Sequence, residues 1–485
     1  MDKPNLPHIV LVVPRGEAVR NFLYSDTLRA LHKSARVTVL SVVDDDCFLA
    51  RFRPWTEDII PLRQAQEHVL VSWFRYLVHT AHYRWLWSEV AKNLWEWRDA
   101  LNARGIARWR WRLWKALVFA LANRPTLAAL TCVERQLTWA MRPNDEFVDL
   151  FKRLKPDLVF NCSHIHGEAG ELPMKVAKRM GIPIAGFIFS WDNLTSRSRI
   201  FVPYDHILVW HEGMRRQLLG LYPNIRPEQV QVTGTPQFDF HFKPEFQLTR
   251  EELCERIGID PARPFILYTT GVDQHFPEEH RTVELVARLI QKIEIQPKPQ
   301  LVVRTYVKGT SAEMKALANA GLPDVVFPPV LWEETWYTPM YEDLSIYSSL
   351  VRHAAMSINA ASTVSLEFMM LDKPVMNLGF DPPGSKLPRH FRWIRHLLFD
   401  HFRPVAESGG VMVARSAEDV RVMLYRGLTR PDEQSAARMT FIKKTFNGTL
   451  DGQAGCRVAE HLLALARNRR IDLSEPLKRE VANAT

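Results

Sequence analysis

Residues 359–381, "NAASTVSLEFMMLDKPVMNLGFD", set polar groups where a buried strand and helix would otherwise be apolar. Ala360 and Ala361 let another group approach the backbone closely, and Ser362 or Thr363 is placed to cap the following helix. Glu367 falls about one turn further on, on the face of Thr363. Free N–H groups and a hydroxyl at a helix start suit phosphate. A carboxylate one turn away can accept from both hydroxyls of a ribose. The set matches a diphosphate with its pentose beside it; its plainer reading is an ordinary capped helix.

Other residue types could complete such a site. Arg304 and Lys308 close the strand "QLVVRTYVKG" and could neutralise a leaving diphosphate, and Gly271 allows close backbone approach. A general base is expected on a loop after a strand of the first half. Asp192 in "FSWDNLTSR" and His166 in "NCSHIHGEAGE" lead, followed by His164, with Glu17 in "PRGEAVR" as a further carboxylate. Asp192 could instead cap its own turn through Asn193 and Thr195. Asp44–Asp46 invites a metal reading, but an acidic solvated loop accounts for it, so no metal is expected.

The elements that must position these groups are near-continuous apolar strands alternating with amphipathic helices, the pattern of a parallel α/β sheet covered on both faces. Strands are expected at 8–14, 35–43, 58–62, 156–163, 182–190, 205–210 and 228–234. The pattern restarts with strands at 264–271, 300–309, 324–329, 355–360 and 373–380. Two Rossmann-like domains facing a central cleft follow, residues 1–240 and 241–467, with a charged tail at 468–485. The joint is the turn-rich, aromatic stretch 234–250.

A helical insert at about 63–140 interrupts the first domain. Between Arg63 and Asn123 ten Lys or Arg face four acids, which supplies +6 of the chain's +9, and eight of the fifteen Trp lie there. Trp and basic residues on amphipathic helices suit an anionic membrane surface. The alternative is a packed helical subdomain with arginines reaching outward. Basic positions interleaved with aliphatic ones do not make a phosphate-tracking groove, so nucleic acid is not expected. Five scattered cysteines without CxxC spacing argue against a disulfide framework or zinc site. With no signal-like leader and no run of about 18 apolar residues, the expected location is the cytoplasm, peripheral at the inner membrane face.

Residues 8–465 resemble the GT-B glycosyltransferases, a group that includes bacterial surface-polysaccharide transferases and, more distantly, the UDP-N-acetylglucosamine 2-epimerases. "QVQVTGTPQFD" resembles the strand and linker joining the two domains, and "SINAASTVSLEFMMLDKPV" the nucleotide-sugar motif. "FSWDNLTSRSR" and "DHFRPVAESGG" look like segments of polysaccharide transferases. The resemblance implies a nucleotide-sugar donor held in the second domain by Ser362, Thr363 and Glu367, with His401 and Arg403 near it, and a glycan or lipid-linked acceptor in the first. It implies metal-independent sugar transfer with no cofactor beyond the nucleotide-sugar co-substrate. The alternatives are an epimerase, a transferase of polyol phosphate from a CDP-linked donor, or a non-catalytic assembly partner at the membrane. Asn359 stands where many retaining members carry a second glutamate. The epimerase segments His-Arg-Arg-Glu-Asn and Asp-Ser-Gly-Gly are replaced by "VDQHFPEEH" and "NAAST".

Overall fold

The structure is a computed structural model and describes residues 6–63, 67–165, 168–197 and 199–482. Two compact units emerge: residues 1–87, 102–239 and 451–485 form the first, and residues 88–101 and 240–450 the second.

The first unit is built on β1 (His8–Val13), β2 (Arg36–Ser41), β3 (Asp58–Pro61), β4 (Leu158–Asn161), β5 (Ile184–Phe187), β6 (His206–Val209) and β7 (Val230–Val232), the seven strands expected of the first half. They pair in parallel in the order β3-β2-β1-β4-β5-β6-β7. β1, β4 and β5 are buried along their whole length, which is why they read as unbroken apolar runs.

The second unit holds β8 (Phe265–Thr269), β9 (Gln300–Arg304), β10 (Val325–Val326), a short hairpin of β11 (Trp332–Glu333) and β12 (Thr338–Pro339), then β13 (Met356–Asn359), β14 (Val375–Leu378) and β15 (Met412–Ala414). Its parallel sheet runs β10-β9-β8-β13-β14-β15. Each unit therefore reverses strand order once, between β1 and β4 and between β8 and β13. At such reversals the loops beyond the carboxyl ends part and leave room for a ligand. The unit opens on helix Arg250–Ile257, started by a reciprocal Thr249–Glu252 capping box and stopped by Gly258 at φ 72°.

Two expected boundaries are corrected. Residues 451–467 and the tail belong with the first unit: helix Ala454–Ala482 starts where the buried Asp239 accepts from the Ala454 N–H at 3.1 Å and the Gly455 N–H at 2.8 Å. Its backbone stays helical to Ala482, through most of the charged tail. Residues 88–101 of the insert leave for the second unit, where the Glu89 N–H donates to Asp400 at 2.7 Å and Arg395 pairs with Glu96 at 2.7 Å.

The rest of the insert, helices Val69–Leu86, Gly105–Leu121 and Arg124–Met141, stays with the first unit. It is anchored by a buried ion network. Arg75 reaches Glu134 at 2.6 Å, Glu171 at 2.7 Å and Glu67 at 3.0 Å, and Lys175 reaches Glu134 at 2.8 Å. Burial works against the Arg75 charge, but Glu171, Glu134 and Glu67 together overcome it and raise its pKa.

Candidate functional site

The opening motif lies where the sequence argument needs it, at the carboxyl end of β13 beside the β8/β13 reversal. Its organiser is Asn359, fully buried as the last residue of the strand. Asn359 Oδ1 accepts from the Ser362 N–H at 3.1 Å, Ser365 Oγ at 3.1 Å and Asn377 Nδ2 at 2.9 Å. This fixes the turn before the short helix Val364–Met370. Ser362 is the capping residue, its Oγ accepting from the Val364 N–H at 3.3 Å; the Thr363 side chain makes no such bond. Both are half-buried.

Glu367 faces inward and is 3% exposed. Its Oε2 accepts from Tyr347 Oη at 2.5 Å and lies 3.3 Å from His241 Nε2. A ribose would have to share that oxygen with both, so the open two-oxygen grip expected from spacing gives way to a carboxylate already engaged. The chain of contacts continues. Tyr347 lies under the Arg304 guanidinium, 5.1 Å from it, and Arg304 pairs with Asp343 at 2.5 Å. Asp343 also accepts from Trp332 Nε1 at 2.9 Å and the Leu331 N–H at 3.1 Å. Among the described residues, Arg304 Nη1 nevertheless has no hydrogen-bond partner, and neither has Oγ1 of Thr269, the residue in register with it across β8 and β9. Buried polar atoms left unpaired this way cost stability and call for an explanation.

Gly271 serves a different purpose from the one expected. An added Cβ would collide with the Phe276 ring, so the close approach is by a side chain of the same unit. Its N–H donates to Glu279 at 2.9 Å, and Tyr268 Oη donates to the same carboxyl at 3.1 Å. Burial pushes the Glu279 pKa up to about 8, against the effect of these two bonds. Lys308 lies 4.7 Å from the Tyr337 ring, in a loop joined to the Gly271 loop where the Asp273 N–H donates to the Gly309 carbonyl at 3.2 Å. His401 stacks near Phe399 and acts electrostatically on the buried His396, whose ring lies 4.3 Å from Phe276. Arg403 is exposed at the start of helix Arg403–Ala406, where its N–H donates to the Phe399 carbonyl at 2.8 Å.

In the first unit the candidate bases gather at the carboxyl ends of β1, β4 and β5. Burial lowers the His164 pKa to about 3, and its Nδ1 lies 3.1 Å from the Phe187 carbonyl. That ring ties β4 to β5 through its Nδ1. Asp192 is half-buried and bound within its own turn: Asn193 Nδ2 donates to it at 3.2 Å and Ser196 Oγ also donates. Glu17 is buried with its pKa raised by desolvation, opposed by its ion pair with Arg15. His166 lies outside the described residues. Asp45 caps helix Asp46–Leu49 and Asp46 pairs with Arg53 at 2.6 Å, which accounts for two of the three loop aspartates.

No protein-family model matches the sequence, and no curated protein matches it. Solved structures do match nearly end to end. A UDP-N-acetylglucosamine 2-epimerase aligns with TM-score 0.54 at 14% identity, covering 94% of this chain and 95% of its own. The Neisseria meningitidis UDP-GlcNAc 2-epimerase bound to UDP-GlcNAc gives 0.54 at 12%, covering 95% and 100%. The S. aureus MnaA structure with UDP gives 0.52 at 13%, covering 94% and 96%. The chain has the GT-B fold.

Sequence reading passed over several residues of this GT-B chain. Tyr347, His241 and Asp343 meet Glu367 and Arg304 from positions far apart in sequence, so no local motif announces them. Asn359 was visible, but as a departure from the two-glutamate pattern. An asparagine ending an apolar strand is the signal that could have found it, since a buried amide there must bond the next loop.

Proposed function

We propose that the protein is a nucleotide-sugar enzyme that transfers the sugar to a surface-glycan or lipid-linked acceptor, with the nucleotide bound at the carboxyl ends of β8, β9 and β13. The observation that carries this reading is a pair of buried atoms without hydrogen-bond partners among the described residues, Arg304 Nη1 and Thr269 Oγ1, on residues in register at that end of the sheet. An anionic ligand with phosphate oxygens supplies the acceptors both lack. UDP and UDP-GlcNAc bound in GT-B neighbours of nearly equal span support the same class of ligand. In this reading Ser362 and Thr363 contact phosphate, Glu367 with Tyr347 meets the ribose, and Asp192 takes the proton of the acceptor hydroxyl.

An epimerase is the second reading, favoured by the names of those neighbours. Transfer is preferred because the epimerase segments named above are replaced in this chain.

Thermal shifts with UDP, GDP, CDP and CMP test binding. Thr269→Val is the sharpest variant, because the hydroxyl it removes makes no bond in the protein. It should leave the melting temperature of the free protein unchanged and reduce the nucleotide shift, while Glu367→Ala should abolish the shift. No shift with any nucleotide would leave only the non-catalytic reading. Incubation with UDP-GlcNAc alone separates the enzymes: an epimerase converts it without an acceptor, whereas a transferase consumes it only when one is supplied.

A further inference from the structure

The insert carries a surface for which nucleotide-sugar chemistry has no use. In helix Gly105–Leu121, Ile106 is 78% exposed, Trp109 65%, Leu113 72% and Leu117 43%. At 3.6 residues per turn these four fall within one sector of roughly 80°. Trp111 and Val118, turned away from that sector, are buried. Trp114 stacks 5.3 Å from Tyr76 and lies 6.1 Å from Trp73 on helix Val69–Leu86. Val69 and Leu70 at the start of that helix are also exposed.

The charge on this face is one-sided. Helix Gly105–Leu121 contains Arg108, Arg110, Arg112 and Lys115 and no acidic residue. Arg110 and Arg112 flank the apolar sector on its two sides, and Arg108, Arg110 and Arg112 are all exposed. No single helix among the described residues is long and apolar enough to cross a membrane. Gly105–Leu121 and Arg124–Met141 would be long enough together, but they meet at 103°. The second is also pinned through Glu134 to the buried Arg75 and Lys175, so it is not free to insert. An exposed apolar sector edged by cations on a helix that cannot span has the geometry of an interfacial helix.

We propose that helix Gly105–Leu121 lies flat on an anionic lipid surface, with Ile106, Trp109, Leu113 and Leu117 at the headgroup boundary and Arg108, Arg110 and Arg112 against lipid phosphates. Charge selects this occupant over a second copy of the chain, because self-pairing would set one acid-free cationic helix against another. A lipid leaflet offers both the apolar layer and the counter-charge.

Flotation of the full-length protein with phosphatidylcholine vesicles, and with vesicles of equimolar phosphatidylcholine and phosphatidylglycerol, tests this. The protein should float with the anionic vesicles only, with a blue shift of tryptophan emission. Replacing Arg108, Arg110 and Arg112 together by Gln should weaken vesicle affinity roughly a hundredfold. Trp109→Ser with Leu113→Ser should remove binding at unchanged melting temperature, since both side chains are exposed. Absence of wild-type flotation with anionic vesicles, or equal flotation by either variant, overturns the proposal. So does a wild-type dimer that the Trp109→Ser, Leu113→Ser variant converts to monomer, which would assign the face to a second copy.

Discussion

Asn161 ends β4 and Asn359 ends β13, so each unit has a buried amide at the end of the strand beside its order reversal. Both accept a backbone N–H from the loop they precede: Ser163 at 3.0 Å and Ser362 at 3.1 Å. The rest of their environments differ. Asn161 Nδ2 donates to Tyr204 Oη at 2.8 Å, whereas Asn359 Oδ1 also gathers Ser365 and Asn377. The same device shapes both loops, but in the second unit it gathers three donors on one oxygen. In the first unit it precedes a neutral, committed His164. The second unit's sheet end also keeps Arg304 Nη1 and Thr269 Oγ1 without hydrogen-bond partners among the described residues.

Substitutions at the two amides test that contrast most strongly. Asn359→Ala removes the acceptor of three donors and should cost about 3 kcal/mol in urea unfolding, while Asn161→Ala should cost about half as much. Equal costs would break the comparison. The next effect is in pH dependence. Folded Glu279 keeps its proton to about 8, while an unperturbed glutamate releases it near 4.5. Between those values the folded state binds the extra proton, so this contribution is complete below pH 4.5 and is lost as pH rises through 8. Glu279→Gln should flatten the stability profile over that window, a change of a few kcal/mol read by unfolding at several pH values. His164 carries the opposite sign: its lowered pKa costs stability as pH falls below about 6.5, the ordinary value, toward 3. His164→Asn should reduce the acid sensitivity of the first unit. The smallest expected effect is Tyr347→Phe, about 1 kcal/mol from the lost bond to Glu367, with weaker nucleotide binding as the informative readout.

Much of the architecture was legible because parallel strands buried on both faces are mostly apolar, as β1, β4, β8 and β13 are. β15 and the β11–β12 hairpin escaped notice because two or three residues give no periodicity to read. The Ser362–Glu367 motif was placed correctly relative to strand and helix, but spacing could not show that Glu367 faces Tyr347 and His241. Those partners come from other elements, and only packing brings them together. Gly271 was singled out as a place of close approach to the backbone, and what approaches is the Phe276 ring. The return of residues 451–485 to the first unit was invisible for a similar reason: Asp239 and the Ala454–Gly455 pair are more than two hundred positions apart.

That return bears on biogenesis. Asp239 is 2% exposed, and the amides that satisfy both of its oxygens belong to residues translated after the whole second unit. Thr27 likewise donates to the Gly455 carbonyl at 3.2 Å. On the ribosome the amino-terminal half therefore waits, unfinished, while the later half emerges and can fold. An expression product ending at residue 239 would lack the two amides of residues 454 and 455 that bond the buried Asp239.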